Sequence, residues 1–154
     1  MTALVALESE IAIKTELLLS FSTHELLDCD RNNNSCKGGS ERISYTYMVE
    51  NGIGFERDYP YVAIQNDNCN LDKTTPRFPR INDFEVVKFN GYKEISLMSA
   101  VKQQSVVVTM SINGKAFDEY CGGIYNHEPG ILTNTHNYMK CSLWDMTSIM
   151  VSGF

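Results

Sequence analysis

The chain has no excess of basic charge. Its 154 residues carry 13 Lys and Arg against 19 Asp and Glu, a formal net charge of −6. That balance argues against a surface built to neutralise a nucleic-acid backbone or an anionic membrane. No apolar run approaches the roughly 20 residues of a membrane-spanning helix. Residues 1–7 are apolar, but no basic segment precedes them and they meet Glu8 and Glu10 at once, so they read as helix rather than signal peptide. Internal repeats and low-complexity linkers are absent too, which leaves about one domain's worth of chain. What is present is ordinary for a folded protein: 43% hydrophobic residues to build a core and 21% charged residues to keep it soluble.

Periodicity gives a coarse layout. Leu4, Leu7, Ile11 and Leu18 sit near helical spacing, with Glu8 and Lys14 elsewhere, and predict a first helix over 4–18. Ser22-Thr23-His24-Glu25 has the Ser/Thr-x-x-Glu pattern of a capping box and predicts a second helix through Leu27. Residues 40–50 predict a third, stopped by Asn51-Gly52. Residues 83–89, with Phe84, Val86, Val87 and Phe89, and residues 106–112 are rich in strand formers. Helices first and strands later is the order of an α+β fold. Tyr45, Tyr47, Tyr59 and Tyr61 read as core and interface packing.

Several motifs occur in a fixed order. Glu25-Leu26-Leu27-Asp28-Cys29-Asp30 is followed by Cys36-Lys37-Gly38-Gly39, then by Asn51-Gly52-Ile53, Asp58-Tyr59-Pro60-Tyr61 and Cys69. Later come Ala100-Val101-Lys102-Gln103-Gln104-Ser105-Val106 and Phe117-Asp118-Glu119-Tyr120-Cys121-Gly122-Gly123-Ile124-Tyr125. Any one of these is weak. Together, over residues 1–125, they resemble the papain-like cysteine peptidases, plant-like members in particular. The resemblance implies a papain-like two-domain fold, a helical domain plus a β-barrel-like domain with the active site in the cleft between them, incomplete here at both ends. The expected division is a partial helical domain with the cleft loop over 1–80, a partial β domain over 81–125 and a divergent tail over 126–154.

The resemblance also implies a chemistry: acyl transfer from a peptide to a cysteine thiolate, then hydrolysis, with no metal and no organic cofactor. The thiolate is activated by an imidazolium and a helix N-terminus. In the family that helix opens Cys-Trp-Ala-Phe, and Met1 stands where the Phe would be. The nucleophile position therefore lies upstream of Met1, and the chain by itself is expected to be inactive, with no catalytic residue of its own. Asn134-Thr135-His136 offers a general-base candidate at about the right distance. The residues after it do not match the family, and the ordinary reading of His136, like that of His127 and His24, is a surface histidine. Gly38 and Gly39 match the positions whose backbone pairs with extended substrate, as in strand addition, and they also read simply as turn glycines permitting positive φ. Ser40 falls where a bulky residue often walls the specificity pocket, and Thr109 where a pocket residue of the opposite domain stands.

Five cysteines cannot all pair within the chain. The family pairs Cys29 with Cys69, which implies an oxidising compartment, secretory, vacuolar, lysosomal or extracellular; the other reading is five reduced thiols. Cys36 is expected to be an unpaired relic, and Cys121 and Cys141 match no family cysteine. Asn33-Asn34-Ser35 would be a glycosylation acceptor in such a compartment. Read one base out of register, the codons available to Leu143 to Thr147 can spell Val-Gly-Tyr-Asp, and a codon spanning Tyr138 and Met139 can be a histidine at the family's spacing. The tail is thus expected to come from a frameshift. The implied partners are peptide or protein substrates, not nucleic acid or membrane, for a monomeric protein. The alternatives are a non-catalytic remnant that binds peptides or a propeptide, and a product without function. A β domain lacking strands leaves open edges and predicts marginal stability.

Overall fold

Helix α1 (Thr2–Thr15) forms where Ala3, Leu4, Ala6 and Leu7 recur on one face, and all four are buried. It belongs to a computed structural model that describes residues 2–64, 66, 68–74, 77–78, 81–87, 93–112, 121 and 137–143. The helix stops short of the expected Leu18. Glu16 takes φ 60°, its N–H closes on the Ala12 carbonyl at 2.9 Å, and Leu18 beyond it is 81% exposed. A left-handed residue just past the last turn ends a helix whatever apolar residues follow.

Helix α2 (Thr23–Cys29) starts where the capping pattern places it. The Ser22 hydroxyl accepts the Glu25 N–H at 2.9 Å. The reciprocal arm of a capping box does not form. The Ser22 N–H donates to the Gly54 carbonyl at 2.9 Å, and the Glu25 carboxylate turns inward. Helix α3 (Glu41–Asn51) ends at Gly52, whose φ of 71° suits glycine and whose N–H donates to the Met48 carbonyl.

These three helices belong to one unit, Ala3 to Val86. Its core is a single cluster: Ala3, Leu4 and Leu7 from α1, Leu26 from α2, Tyr47 and Met48 from α3, with Phe21 and Ile53 from the connections. Full burial of a side chain such as Phe21, Met48 or Ile53 contributes about 1.5–3 kcal/mol. Two isolated bridges, Phe21 with Phe55 and Ile53 with Phe78, draw the chain between the helices onto this cluster. Cys29 and Cys69 form a disulfide, Cα atoms 4.9 Å apart, closing a separation of 40 residues. By loop entropy it stabilises the unit by roughly 3–4 kcal/mol.

The second unit begins at Val87. It contains α4 (Lys93–Val101) and two antiparallel strands, β1 (Val106–Ile112) and β2 (Asn137–Leu143), in the register Val106 to Leu143 and Ile112 to Asn137. Strand β1 is where the sequence predicts it. Residues 83–87 are a correction: they form no strand. Among the described residues they pair with no neighbour, and Phe84 instead stacks on Tyr45 at 5.3 Å. Strand propensity without a ladder partner makes extended chain only. Phe89 lies outside the described residues.

The left-handed glutamate generates a stability prediction. A non-glycine residue in that conformation costs about 1–2 kcal/mol. Glu16→Gly is expected to raise the unfolding free energy by about 1 kcal/mol, read as a higher urea midpoint at unchanged slope.

Candidate functional site

The connection from α2 to α3 folds into a tight loop around a short 3-10 turn, Ser35–Lys37. Asp30 caps the end of α2, its N–H donating to the Leu26 carbonyl, and it is buried. Next to it the Asn33 side chain bridges to the start of α3: its Oδ1 accepts the Ser40 N–H at 2.7 Å, and its Nδ2 donates to Asp30 and, at 3.0 Å, to the Ser44 hydroxyl. The Asn34 N–H closes the loop onto the Gly38 carbonyl at 3.1 Å.

Gly38 and Gly39 are glycines for different reasons. Gly38 has φ 107°, which side chains rarely adopt, and beyond its chain neighbours nothing described lies within 4 Å of where its Cβ would be. Gly39 needs no positive φ; a Cβ there would lie 2.5 Å from Asn33 Oδ1. Of the two, only Gly38 fits the turn-glycine reading. Ser40 follows as the N-terminal cap residue of α3, in extended conformation and without a side-chain cap bond. Cys36 is exposed on the 3-10 turn with a free thiol. Beside the loop opens a polar cavity of about 370 Å³, lined among others by Asp28, Asp30, Arg31, Lys37 and Asn66. Thr109 lies on β1 opposite Lys140, in the other unit. His136 and His127 lie outside the described residues.

His24 is a further correction. It is 1% exposed, not a surface histidine. On α2 it sits one turn before Asp28, and its Nε2 lies 3.1 Å from Asn66 Nδ2 and 3.4 Å from Asp28 Oδ2. The ring packs between Tyr59 and Tyr61. Its partners are an amide and a carboxylate rather than a thiol, so it completes a packed polar group. Tyr61, expected in the core, is 53% exposed and reaches His24 only edge-on, whereas Tyr47 and Tyr59 are buried. The helical spacing of His24 and Asp28 was the available signal for this pair.

Asp28 is the centre of that group. It accepts the Asn66 N–H at 2.9 Å and the Tyr59 hydroxyl at 2.7 Å. Burial works to raise its pKa, but the hydrogen bonds from Asn66 and Tyr59 and the nearby His24 outweigh it, leaving the carboxyl below its ordinary value. Tyr59 is pushed up to about 12 by burial, reinforced by Asp28.

A sequence profile described as papain family cysteine protease matches residues 1–145. The chain belongs to the papain family of cysteine proteases. It is 37% identical over 139 residues to mexicain of Jacaratia mexicana, covering 90% of this chain and 63% of that protein. It is 35% identical over 131 residues to a low-temperature-induced cysteine proteinase of Solanum lycopersicum, covering 84% and 37%. Among solved structures it resembles a Carica candamarcensis cysteine protease with TM-score 0.75 at 28% identity, covering 93% of this chain and 64% of that one. A ragweed pollen cysteine protease in its proform gives TM-score 0.74 at 34% identity, covering 84% and 39%. The chain spans 26% of the length of a rice cysteine protease and 64% of that of chymomexicain of Jacaratia mexicana, less than two thirds of either. The profile match establishes the papain-like α+β fold and carries the family similarity to residue 145, past Tyr125 where the quoted motifs end.

Within this papain-family chain two carboxyls shift in opposite directions. Glu8 accepts the Phe21 N–H at 2.8 Å, yet burial raises its pKa, with Glu56 adding to the rise and the Phe21 N–H opposing it. A raised folded-state pKa gives stability that is complete below the ordinary 4.5 and is lost as pH rises through the raised value. Asp28 is the reverse: its contribution is complete above 3.8 and is lost as pH falls through the lowered value. Urea unfolding from pH 7 to pH 3 tests both. The wild type is expected to gain stability relative to Glu8→Gln as pH falls toward 4.5, and to lose it relative to Asp28→Asn below 3.8.

Proposed function

We propose that the Gly38–Gly39 loop is a peptide-binding element of a papain-type cysteine peptidase. An extended substrate lies along the backbone of Gly38 and Gly39, with Ser40 leaving the adjoining pocket wall thin. The observation that carries this reading is Gly38. It is exposed, it holds a conformation reserved for glycine, and the space its side chain would fill is open, so another main chain can come within hydrogen-bonding distance.

The reaction of the complete machinery is attack of a thiolate on the peptide carbonyl, departure of the amine and hydrolysis of the thioester. None of the described cysteines of this chain has the setting of that nucleophile. Cys29 and Cys69 are joined to each other, Cys36 lies on a three-residue turn, Cys121 lies in no helix and Cys141 lies on β2, so none stands at the start of a long helix. On this reading the 154-residue chain taken alone binds extended polypeptide without cleaving it. The disulfide supports a working environment that is oxidising, in the secretory or vacuolar route or outside the cell. No helix among the described residues is long and apolar enough to cross a membrane.

Fluorescein-labelled casein serves as an unfolded probe. The purified chain is expected to raise its anisotropy with a Kd of roughly micromolar order, to release no labelled fragments, and to lose at least tenfold in affinity with Gly38→Val. Thiol-dependent cleavage that copurifies with the chain, or wild-type binding indifferent to Gly38→Val, would overturn the proposal.

A further inference from the structure

Asn33 is half-buried, and both ends of its carboxamide are in use. Oδ1 accepts the Ser40 N–H at 2.7 Å. Nδ2 has two hydrogens and three acceptors: Asp30 Oδ2, Ser44 Oγ at 3.0 Å and the Ser40 carbonyl at 3.4 Å. One side chain thus ties the end of α2 to the start of α3 across the loop. Gly39 packs so closely on it that a Cβ would lie 2.5 Å from Oδ1 and 2.7 Å from Cγ. Asp30 depends on the same amide. Its carboxylate is buried, among the described residues Oδ1 has no hydrogen-bond partner, and beyond Asn33 the donor described at Oδ2 is the Ser44 hydroxyl at 3.4 Å. Losing the Asn33 donor would leave a buried carboxylate weakly satisfied, which costs free energy.

The same residue heads Asn33-Asn34-Ser35, a glycosylation acceptor sequence. Ser35 completes it at a strained position, φ 50°, its hydroxyl donating to the Leu27 carbonyl at 2.8 Å. Transfer of a glycan forms a bond from Nδ2 to the anomeric carbon of an oligosaccharide. It breaks that carbon's bond to the lipid pyrophosphate donor, and Nδ2 loses a proton. One of two hydrogens would then be gone, and a sugar ring would have to stand where Asp30, Ser40 and Ser44 now pack.

We propose that Asn33 is a positioning residue that holds Gly38, Gly39 and Ser40 in their binding conformation, and that this role and N-glycosylation of Asn33 exclude each other. The part concerning binding rests on the peptide-binding reading of the loop; the part concerning loop geometry and the glycan does not. Folding before transfer hides the acceptor nitrogen. Transfer before folding leaves the loop without its tie.

Hydrogen exchange at the Ser40 amide in the full 154-residue chain reads the tie directly. Asn33→Ala is expected to speed it about tenfold, the equivalent of one hydrogen bond, with α1 amides unchanged, and to weaken fluorescein-labelled casein binding at least tenfold. Gly39→Ala, which displaces the amide while keeping Asn33, gives the same exchange signature should Asn33→Ala not fold. Chain secreted from yeast is expected to emerge folded and unglycosylated at Asn33 by mass spectrometry, and any glycosylated fraction to exchange at Ser40 as fast as Asn33→Ala. Ser35→Gly, which removes the acceptor sequence and keeps Asn33, retains slow Ser40 exchange. A glycosylated Asn33 with a protected Ser40 amide, or exchange unchanged in both variants, overturns the proposal. Wild-type chain that fails to bind casein, yet shows the Ser40 effect, overturns the peptide-binding reading and upholds the tie and the exclusion.

Discussion

One buried carboxylate organises the helical unit. The side chain of Glu25 has no solvent exposure. It accepts the Gly54 N–H at 2.8 Å and the Tyr47 hydroxyl at 2.9 Å, and it pairs with Arg77. These partners come from the turn after α3, from α3 itself and from the distant segment at 77. A buried charge costs several kcal/mol and is tolerated only when its acceptor sites are filled. Burial, reinforced by the Glu25 charge, pushes the Tyr47 pKa upward and keeps its hydroxyl a donor. Arg77 also reaches the carbonyls of Asn51 and Gly52 at the end of α3. The orientation of α2 follows from this hub, and with it the positions of Asp28, Cys29 and Asp30 that start the candidate site.

The sequence was legible wherever local chemistry decided the outcome. The Ser22 cap and the Gly52 stop need no knowledge of distant residues, and the strand composition of β1 found a partner in β2. The cysteines and the ordered motifs pointed to the family. What stayed hidden depended on partners far along the chain. Glu25 looked like half of a capping box, but its acceptors are taken by Gly54, Tyr47 and Arg77, up to 52 residues away. His24 looked exposed because nothing local says that Asn66 and Tyr59 will cover it. Leu18 continued the apolar period, yet one left-handed residue at Glu16 ended the helix first. Residues 83–87 had strand composition and no ladder to join.

The candidate site shows the same division. Gly38 and Gly39 were visible as a motif, but the reason for the second glycine was not. It is the Asn33 amide, which sequence alone marked only as a glycosylation acceptor. The proposed peptide contact, the loop shape and an acceptor sequence for glycosylation thus fall on one connection of ten residues or so between α2 and α3. That connection leaves an α2 that is held by Glu25 and, at its C-terminal end, by the disulfide.

Glu25 is thus the structural hub of the helical unit. The decisive measurement is a double-mutant cycle by urea unfolding with Glu25→Gln and Arg77→Met. Removing one partner of a buried pair typically costs about 3–5 kcal/mol. Glu25→Gln alone is predicted to lose about 3 kcal/mol, and Arg77→Met to cost far less in that background than in the wild type. A loss below about 1 kcal/mol for Glu25→Gln with additive effects would contradict the account.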